Sequence, residues 1–295
     1  MEQKYTRSIR WKDELHRKWF LFSRNKLTLV GFAIVILILL LAVFAPFLTP
    51  YADHADIFID YANASQAPSL QHLCGTDVFG RDILTRILFS LRSALSMALL
   101  VLSIAVPVGV MLGLLAGYLR GTIVDTIIMR VTDVFLSVPP ILLALAIAAV
   151  MEANMTNTML AVTIMWWPWY CRVVYSMASS LRSENYVISA ELMGASRGHI
   201  LFREILPGCL SPVFTKMALD VGWVILIGAT LNYVGLGVQD GAPSLGQMLS
   251  DGVSYMPEYW WMTIFPSLAI AIIILGFNLF GDGLRDALSK GDQET

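Results

Sequence analysis

The sequence predicts an all-α integral membrane protein with about six transmembrane helices. Hydrophobic residues make up 57% of the 295 residues and charged residues only 14%, whereas about a quarter of a soluble domain is charged. The mean hydropathy is +0.67. The charges are also uneven: eight Lys and Arg residues fall between Lys4 and Lys26, and six long segments carry no charge at all.

Each uncharged segment is close to the roughly 20 residues that cross a bilayer core as a helix. Because lipid offers no partner to backbone N–H and C=O groups, such a segment must pair its backbone internally. The fifth span is expected to begin before its uncharged part, near Pro212. The six predicted spans are residues 27–51, 93–119, 134–151, 153–171, 221–239 and 259–281.

Orientation follows from the Lys and Arg residues, which cytoplasmic loops retain. Residues 1–26 are then a cytoplasmic N-terminal segment, 27–48 the first transmembrane helix, 49–92 an extracytoplasmic segment, 93–288 a five-helix core and 289–295 a cytoplasmic tail. The first span is expected to be retained, since it is too long for a signal peptide. Segment 49–92 is an exception to the charge rule, because it carries Arg81, Arg86 and Arg92.

Three glycines in the second span, Gly109, Gly113 and Gly117, follow one another at four-residue spacing. They lie on one face of the predicted helix, and small residues so placed let another helix approach closely. The spacing predicts a packing seam within this chain, and a dimer contact is the alternative.

Two polar or aromatic groups within the spans have two interpretations each. Lys216 and Asp220, at i and i+4 in the first turns of the fifth span, either neutralise each other near the helix end or face a transport pathway. The aromatic group in the fourth span either marks the headgroup belt or lines the pathway. It consists of Trp166, Trp167, Trp169 and Tyr170.

Segment 180–208, between the fourth and fifth spans, is far longer than a helix connection needs. Helical spacing runs from Tyr186 to Met193, where Gly194 stops it. A second helical stretch runs from His199 to Ile205, and Pro207 is expected to end it. Two short helices joined at a glycine predict a compact cytoplasmic knob that fits a cleft on a soluble partner.

This segment resembles the coupling loop of binding-protein-dependent ABC importer permeases, whose signature is E-A-A, three residues, Gly, nine residues, I-x-L-P. Ile188 and Ser189 replace the Glu and the first Ala, and Glu204 replaces the Ile. The family's glutamate salt bridge is therefore not implied, although Glu191 is close enough to serve. Four residues match in register: Ala190, Gly194, Leu206 and Pro207.

Other segments narrow the resemblance. GTDVFGRDILTR, at 75–86, is similar to the G-T-D-x-x-G-R-D-x-x-S-R block of the dipeptide, oligopeptide and nickel permease subfamily, with Thr85 for Ser. Segments 117–140 and 277–288 resemble the same subfamily, and so does 231–249, where Leu245 replaces a usual Trp. The resemblance covers nearly the whole chain and points to the C-type permease of a heteromeric pair.

The resemblance implies a type I ABC importer permease fold in the bacterial inner membrane, with alternating access driven by ATP. The implied partners are a homologous second permease in a heterodimer, two cytoplasmic ATPase subunits and an extracytoplasmic binding protein, with no nucleic acid. The sequence lacks a G-x-x-x-x-G-K-[ST] phosphate loop. We therefore expect no enzyme activity and no cofactor in this chain, and ATP and Mg²⁺ to be used by the partner subunits.

Two sets of site residues are implied. One set contacts an ATPase subunit, and the other is a gate or binding-protein contact at the extracytoplasmic end. Mutual neutralisation in a scaffold is the alternative interpretation of the charges in the extracytoplasmic set. The ATPase-coupling set is Tyr186, Ala190, Glu191, Gly194, Ala195, Arg197, Leu206 and Pro207. The extracytoplasmic set is Gly75, Thr76, Asp77, Gly80, Arg81 and Asp82.

The expected substrate class is di- or oligopeptides. The same pattern serves nickel or metal chelates and glutathione, which remain alternatives. An intramembrane enzyme is disfavoured because the four His residues all fall in loops. A secondary transporter is the rival class, although such proteins usually show repeats or buried charges, and Lys216 and Asp220 are the only charges expected inside the spans.

Overall fold

The computed structural model describes residues 22–23, 25–237 and 241–292. In these ranges the ordered elements are helical, apart from an isolated antiparallel bridge between Thr76 and Asp82. Two 3-10 turns, Ala52–Ala55 and Tyr61–Asn63, precede the second long helix. The longer helices are α1 (Lys26–Leu48), α2 (Ile83–Tyr118), α3 (Ile123–Ser137), α4 (Pro140–Val150), α5 (Met155–Leu181), α6 (Asn185–Leu192), α7 (Leu206–Tyr233), α8 (Leu245–Val253) and α9 (Trp261–Asp292).

Four helical segments are long and apolar enough to cross a membrane: α1, α2, Arg197–Tyr233, which contains α7, and the Trp261–Leu288 part of α9. α3 and α4 make a fifth if the bent pair counts as one span. The 27 residues of α5 reach about 40 Å at 1.5 Å per residue, but polar residues interrupt its apolar surface. The predicted all-α membrane fold is confirmed, with four or five apolar spans in the described residues instead of six.

The predicted third span, 134–151, is not one helix. α3 ends at Ser137 and α4 begins at Pro140, with a bend of 92° between them. Val138 is extended, with φ −95° and ψ 133°, because a following proline disfavours the helical region. Pro139 then caps α4, and Pro140 takes its first turn. The two prolines break a segment whose lack of charged residues predicted one continuous helix.

Two predicted helix boundaries are also wrong. α2 begins at Ile83, ten residues before the uncharged run, because a carboxylate oxygen of Asp82 accepts hydrogen bonds from the Thr85 backbone N–H and hydroxyl, both at 2.7 Å. Pro207 does not end a helix. It lies in the first turn of α7, where its missing N–H is not needed, and a π-helical turn at Ile200–Ile205 leads into α7.

The predicted glycine seam joins two helices of this chain, so the dimer alternative is not needed to explain the spacing. α2 and α5 form the most extensive helix pair of the bundle. Cβ atoms do not normally come within 3.0 Å of other heavy atoms, so only glycine allows this approach. Cβ atoms built on Gly109, Gly113 and Gly117 would lie 2.5, 2.4 and 2.7 Å from Trp167 O, Cys171 O and Ala178 Cβ, respectively.

The remaining helices surround this pair. α9 packs against α1 and α7, α8 contacts α7 and α9, and α5 also contacts α7. We call the end of the bundle that carries residues 182–205 the loop end and the end that carries residues 49–82 the opposite end.

Replacing Gly113 with isoleucine is expected to destabilise the protein, because the new side chain overlaps the Cys171 carbonyl oxygen. Overpacking of this kind costs about 1–3 kcal/mol or more. Val108→Ile, on an exposed part of the same helix, is the matched control. The melting temperature of each variant in detergent is measured by fluorescence-detected size-exclusion chromatography after heating. Equal melting temperatures for the two variants would contradict the role given to the seam.

Candidate functional site

The segment at the loop end consists of two helical pieces joined at a glycine, as the sequence predicts. α6 ends before Gly194, which has φ +82°. The Ala195 N–H donates to the Ala190 carbonyl and the Gly194 N–H to the Glu191 carbonyl, both at 3.0 Å, so the helix end is satisfied through a left-handed glycine. The second piece begins at Arg197, two residues earlier than predicted, and continues into α7.

The surface of this loop includes exposed apolar side chains. Leu192 and Met193, directly before Gly194, are 84% and 82% exposed. Exposed apolar patches mark contact surfaces. These two residues are not among those predicted from the sequence to contact a partner, although they stand inside the coupling-loop signature. Further exposed apolar side chains of the loop are Tyr186, Ile188 and Phe202.

The residues predicted to couple to an ATPase divide by exposure. Ala190 is buried beside Val187, so it packs inside the loop. Ala195 and Leu206 are half-buried. A partner could therefore contact only part of the set directly. The exposed members are Tyr186, Glu191, Gly194, Arg197 and Pro207.

One side-chain contact ties α6 to the end of α2. The Tyr118 hydroxyl donates a hydrogen bond to the Glu191 carboxylate at 3.2 Å. The Arg182 guanidinium lies over the Tyr118 ring, 5.3 Å from its centroid. Because Tyr118 is the last residue of α2, α6 is in direct contact with the helix that forms the glycine seam.

The block predicted at the opposite end is mostly interior. Asp77 accepts a hydrogen bond from Arg81 Nε at 2.7 Å, and Asp82 accepts one from His72 Nδ1 at 2.9 Å. Mutual neutralisation in a scaffold therefore describes these charges well. Exposed apolar side chains at this end are Ile57, Leu70 and Leu73. Five of the six predicted residues are buried: Gly75, Thr76, Gly80, Arg81 and Asp82.

His54 completes this scaffold as a hydrogen-bond acceptor. Its Nδ1 accepts the Asp82 backbone N–H at 3.0 Å, and its ring stacks on Phe58 with centroids 3.9 Å apart. Burial, the largest effect, lowers the pKa of His54. The neutral ring is therefore favoured near neutral pH, and Nδ1 keeps the lone pair that this contact needs.

A cavity of about 570 Å³ contains the polar pair of α7. Lys216 Nζ lies 3.0 Å from both carboxylate oxygens of Asp220, and Trp166 Nε1 donates to the same carboxylate at 2.8 Å. Lys216 Nζ also lies 5.7 Å from the Trp169 ring centroid. The cavity lining comprises Pro140, Ile141, Trp166, Trp169, Lys216, Asp220, Trp223, Leu226, Ile227 and Thr230.

This site joins two groups that the sequence analysis treated separately. Asp220 lies about 21 Å along α7 from Leu206, at 1.5 Å per residue, so the pair is not at the end of a helix as the first interpretation assumed. The two residues do neutralise each other. Within the described ranges, no group of three or more His, Cys, Asp or Glu residues is placed to hold a metal ion. The cavity lining contains one ion pair and three tryptophans.

The chain is similar to curated permeases along nearly its full length. It is 39% identical to the dipeptide transport system permease protein DppC of Alkalihalophilus pseudofirmus, over 97% of this chain and 92% of that protein. It is 42% identical to DppC of Escherichia coli (strain K12), over 93% and 92%. It is also 40% identical to the glutathione transport system permease protein GsiD of Shigella flexneri serotype 5b, over 92% and 89%.

A solved structure shares the fold. A chain of the inward-facing MetNI methionine ABC transporter superposes with a TM-score of 0.56, covering 70% of this chain and 97% of that chain at 18% identity. Residues 15–68 match the N-terminal transmembrane domain of oligopeptide transport permease C. Residues 109–291, which include the loop and the cavity, match a second family. The chain belongs to that family, the binding-protein-dependent transport system inner membrane components.

Proposed function

We propose that the chain is a transmembrane permease subunit of an ATP-driven importer and forms half of a pathway for di- or oligopeptides. The similarity to two relatives named as dipeptide permeases, over 97% and 93% of this chain, carries the proposal. A homologous second permease supplies the other half, and an extracytoplasmic binding protein delivers the peptide.

The proposed orientation places the loop end and both termini in the cytoplasm of a bacterial cell. Support comes from Arg182, Arg197 and Arg203 at the loop end, because cytoplasmic loops retain basic residues. The opposite end then faces the binding protein. Since residues 75–82 are largely buried, the proposed contact there consists of exposed neighbours such as Leu70, and the buried block shapes the surface beneath them.

In the proposed coupling, each ATPase subunit of a pair contacts one permease loop. Here the exposed Leu192 and Met193 enter a cleft of the partner, and Glu191 passes the displacement to Tyr118. ATP and Mg²⁺ are bound by the ATPase subunits. This chain contributes shape and mechanical connection.

Glutathione import is the second candidate, because one relative that is 40% identical carries that name. Glutathione is itself a small peptide derivative with free carboxylates, so the two candidates share one chemistry. Competition for uptake between a dipeptide and glutathione separates them.

The proposal is tested by expressing the chain with its genomic neighbours and purifying the assembly. Two ATPase subunits and one homologous permease are expected to co-purify, identified by mass spectrometry. Proteoliposomes with the binding protein should accumulate alanyl-alanine only with ATP. Accumulation by the chain alone, driven by a proton gradient without ATP, would instead support a secondary transporter.

Leu192→Asp combined with Met193→Asp is expected to weaken ATPase binding by about tenfold or more, because two exposed apolar side chains leave the contact. Leu70→Asp is the matched control, since Leu70 is 97% exposed at the opposite end. Co-purification with the ATPase subunits gives the measurement. Unchanged recovery of the ATPase with the double variant would remove the loop from the interface.

Tyr118→Phe deletes only the hydroxyl that donates to Glu191. ATPase binding should stay unchanged, because the exposed loop surface is intact. The peptide transported per ATP hydrolysed should fall several-fold, since a hydrogen bond to a charged group contributes about 1.5–3 kcal/mol. Phe135→Leu, elsewhere in the helical bundle, serves as the control, and equal coupling ratios in all three proteins would show that this contact transmits nothing.

A further inference from the structure

A buried ion pair such as Lys216 and Asp220 in the α7 cavity is not explained by stability alone. Replacing a buried ion pair by apolar residues of similar volume is often neutral or stabilising, whereas removing one partner is strongly destabilising. Ionisable side chains inside transmembrane helices therefore usually have a functional role. Lys216 and Asp220 lie in such a helix, and their role must be sought in what the cavity can bind.

The two charges differ in accessibility. The Lys216 side chain is 23% exposed and that of Asp220 only 6%. Both Asp220 oxygens are occupied, by Lys216 and by Trp166. Lys216 lines the cavity, and its Nζ contacts the Asp220 carboxylate at 3.0 Å. A lysine ammonium has three donors and no acceptor, so it retains donor capacity beyond this contact.

The rest of the cavity suits an organic ligand. Trp169 and Trp223 line the cavity and are 40% and 52% exposed, so both rings are available as apolar surface. The Trp169 ring centroid lies 5.7 Å from the Lys216 ammonium. The volume of about 570 Å³ lies within the range of small-molecule sites, about 300–1,000 Å³. The accessible Lys216 ammonium is complementary to a carboxylate, and the surrounding aromatic rings are complementary to apolar side chains. The cavity therefore suits a small molecule that carries both groups.

We propose that this cavity is a transit site that binds the carboxylate terminus of a translocating peptide on Lys216. Asp220 is a positioning residue, and Trp169 and Trp223 contact the peptide side chains. The carboxylate accepts charge-assisted hydrogen bonds from the ammonium. This inference rests on the proposed import of peptides and adds the chemical group of the substrate that the permease recognises.

The first test is the double variant Lys216→Met with Asp220→Asn, studied in the full complex in proteoliposomes. The asparagine removes the charge but keeps a side-chain oxygen that can accept from Trp166 Nε1. Removing both charges together should preserve folding and assembly. Uptake of alanyl-alanine should fall by about tenfold or more, the equivalent of one lost charged hydrogen bond, while ATPase recovery stays unchanged. Lys216→Arg should retain most of the uptake. Thr126→Val, an uncharged change at an exposed position of α3 outside the cavity lining, is the control. Wild-type uptake by the double variant would overturn the inference.

A second measurement uses the wild-type complex without binding protein. Three of the eight tryptophans of this chain line the cavity, so their fluorescence reports its occupancy. Titration with alanyl-alanine should change the emission, and the C-terminal amide should bind about tenfold more weakly, because the charged acceptor is absent. Equal responses to both compounds, or no response to either, would contradict carboxylate recognition.

The outcomes separate this inference from the proposed function. If the wild-type complex does not import alanyl-alanine, the proposed function fails. If the wild type imports it and the double variant imports it equally well, peptide import stands and only the transit site fails.

Discussion

The close approach of α2 and α5 is the contact on which the rest of the structure depends. Gly109, Gly113 and Gly117 bring the α2 backbone against α5 over two turns, with no room for a side chain. This contact fixes the rotation and height of α5. The rotation of α5 about its own axis places Trp166 against Asp220 of α7. The position of α5 along α2 places the end of α2 beside the loop, where the Tyr118 hydroxyl donates to Glu191. The cavity and the loop contact therefore depend on one seam.

Prolines determine the geometry around that seam. Pro139 and Pro140 turn the chain by 92°, which brings the start of α4 to the wall of the cavity beside Trp166. Pro207 has the opposite effect, because in a first helical turn its fixed φ is compatible with the helix and its absent N–H costs nothing. α7 consequently runs from the loop past the polar pair. The loop is therefore joined to the cavity by one continuous helix.

Two of the charged clusters among the described residues have different roles. At the opposite end Asp77, Arg81, Asp82 and His72 satisfy one another inside the chain, so their role is to hold the segment that precedes α2. In α7 the acidic partner is buried and the basic partner is accessible. This difference in accessibility is expected of a group that binds a ligand and not of a closed scaffold. If the chain imports peptides as proposed, Lys216 is the residue that contacts the substrate.

The sequence alone determined the all-α membrane fold, the glycine seam, the glycine-joined loop and the family. Each rests on a local pattern: uncharged length, four-residue spacing, or a signature. It did not determine the bend at Pro139, the start of α2 at Ile83, or the burial of residues 75–82. Charged residues mark the ends of the uncharged segments, but capping and ion pairing let them lie within or beside helices. The hydrogen bond between Trp166 and Asp220, which are 54 positions apart, was decided only by the tertiary structure. Helix packing brings such distant positions together, and no local pattern predicts it.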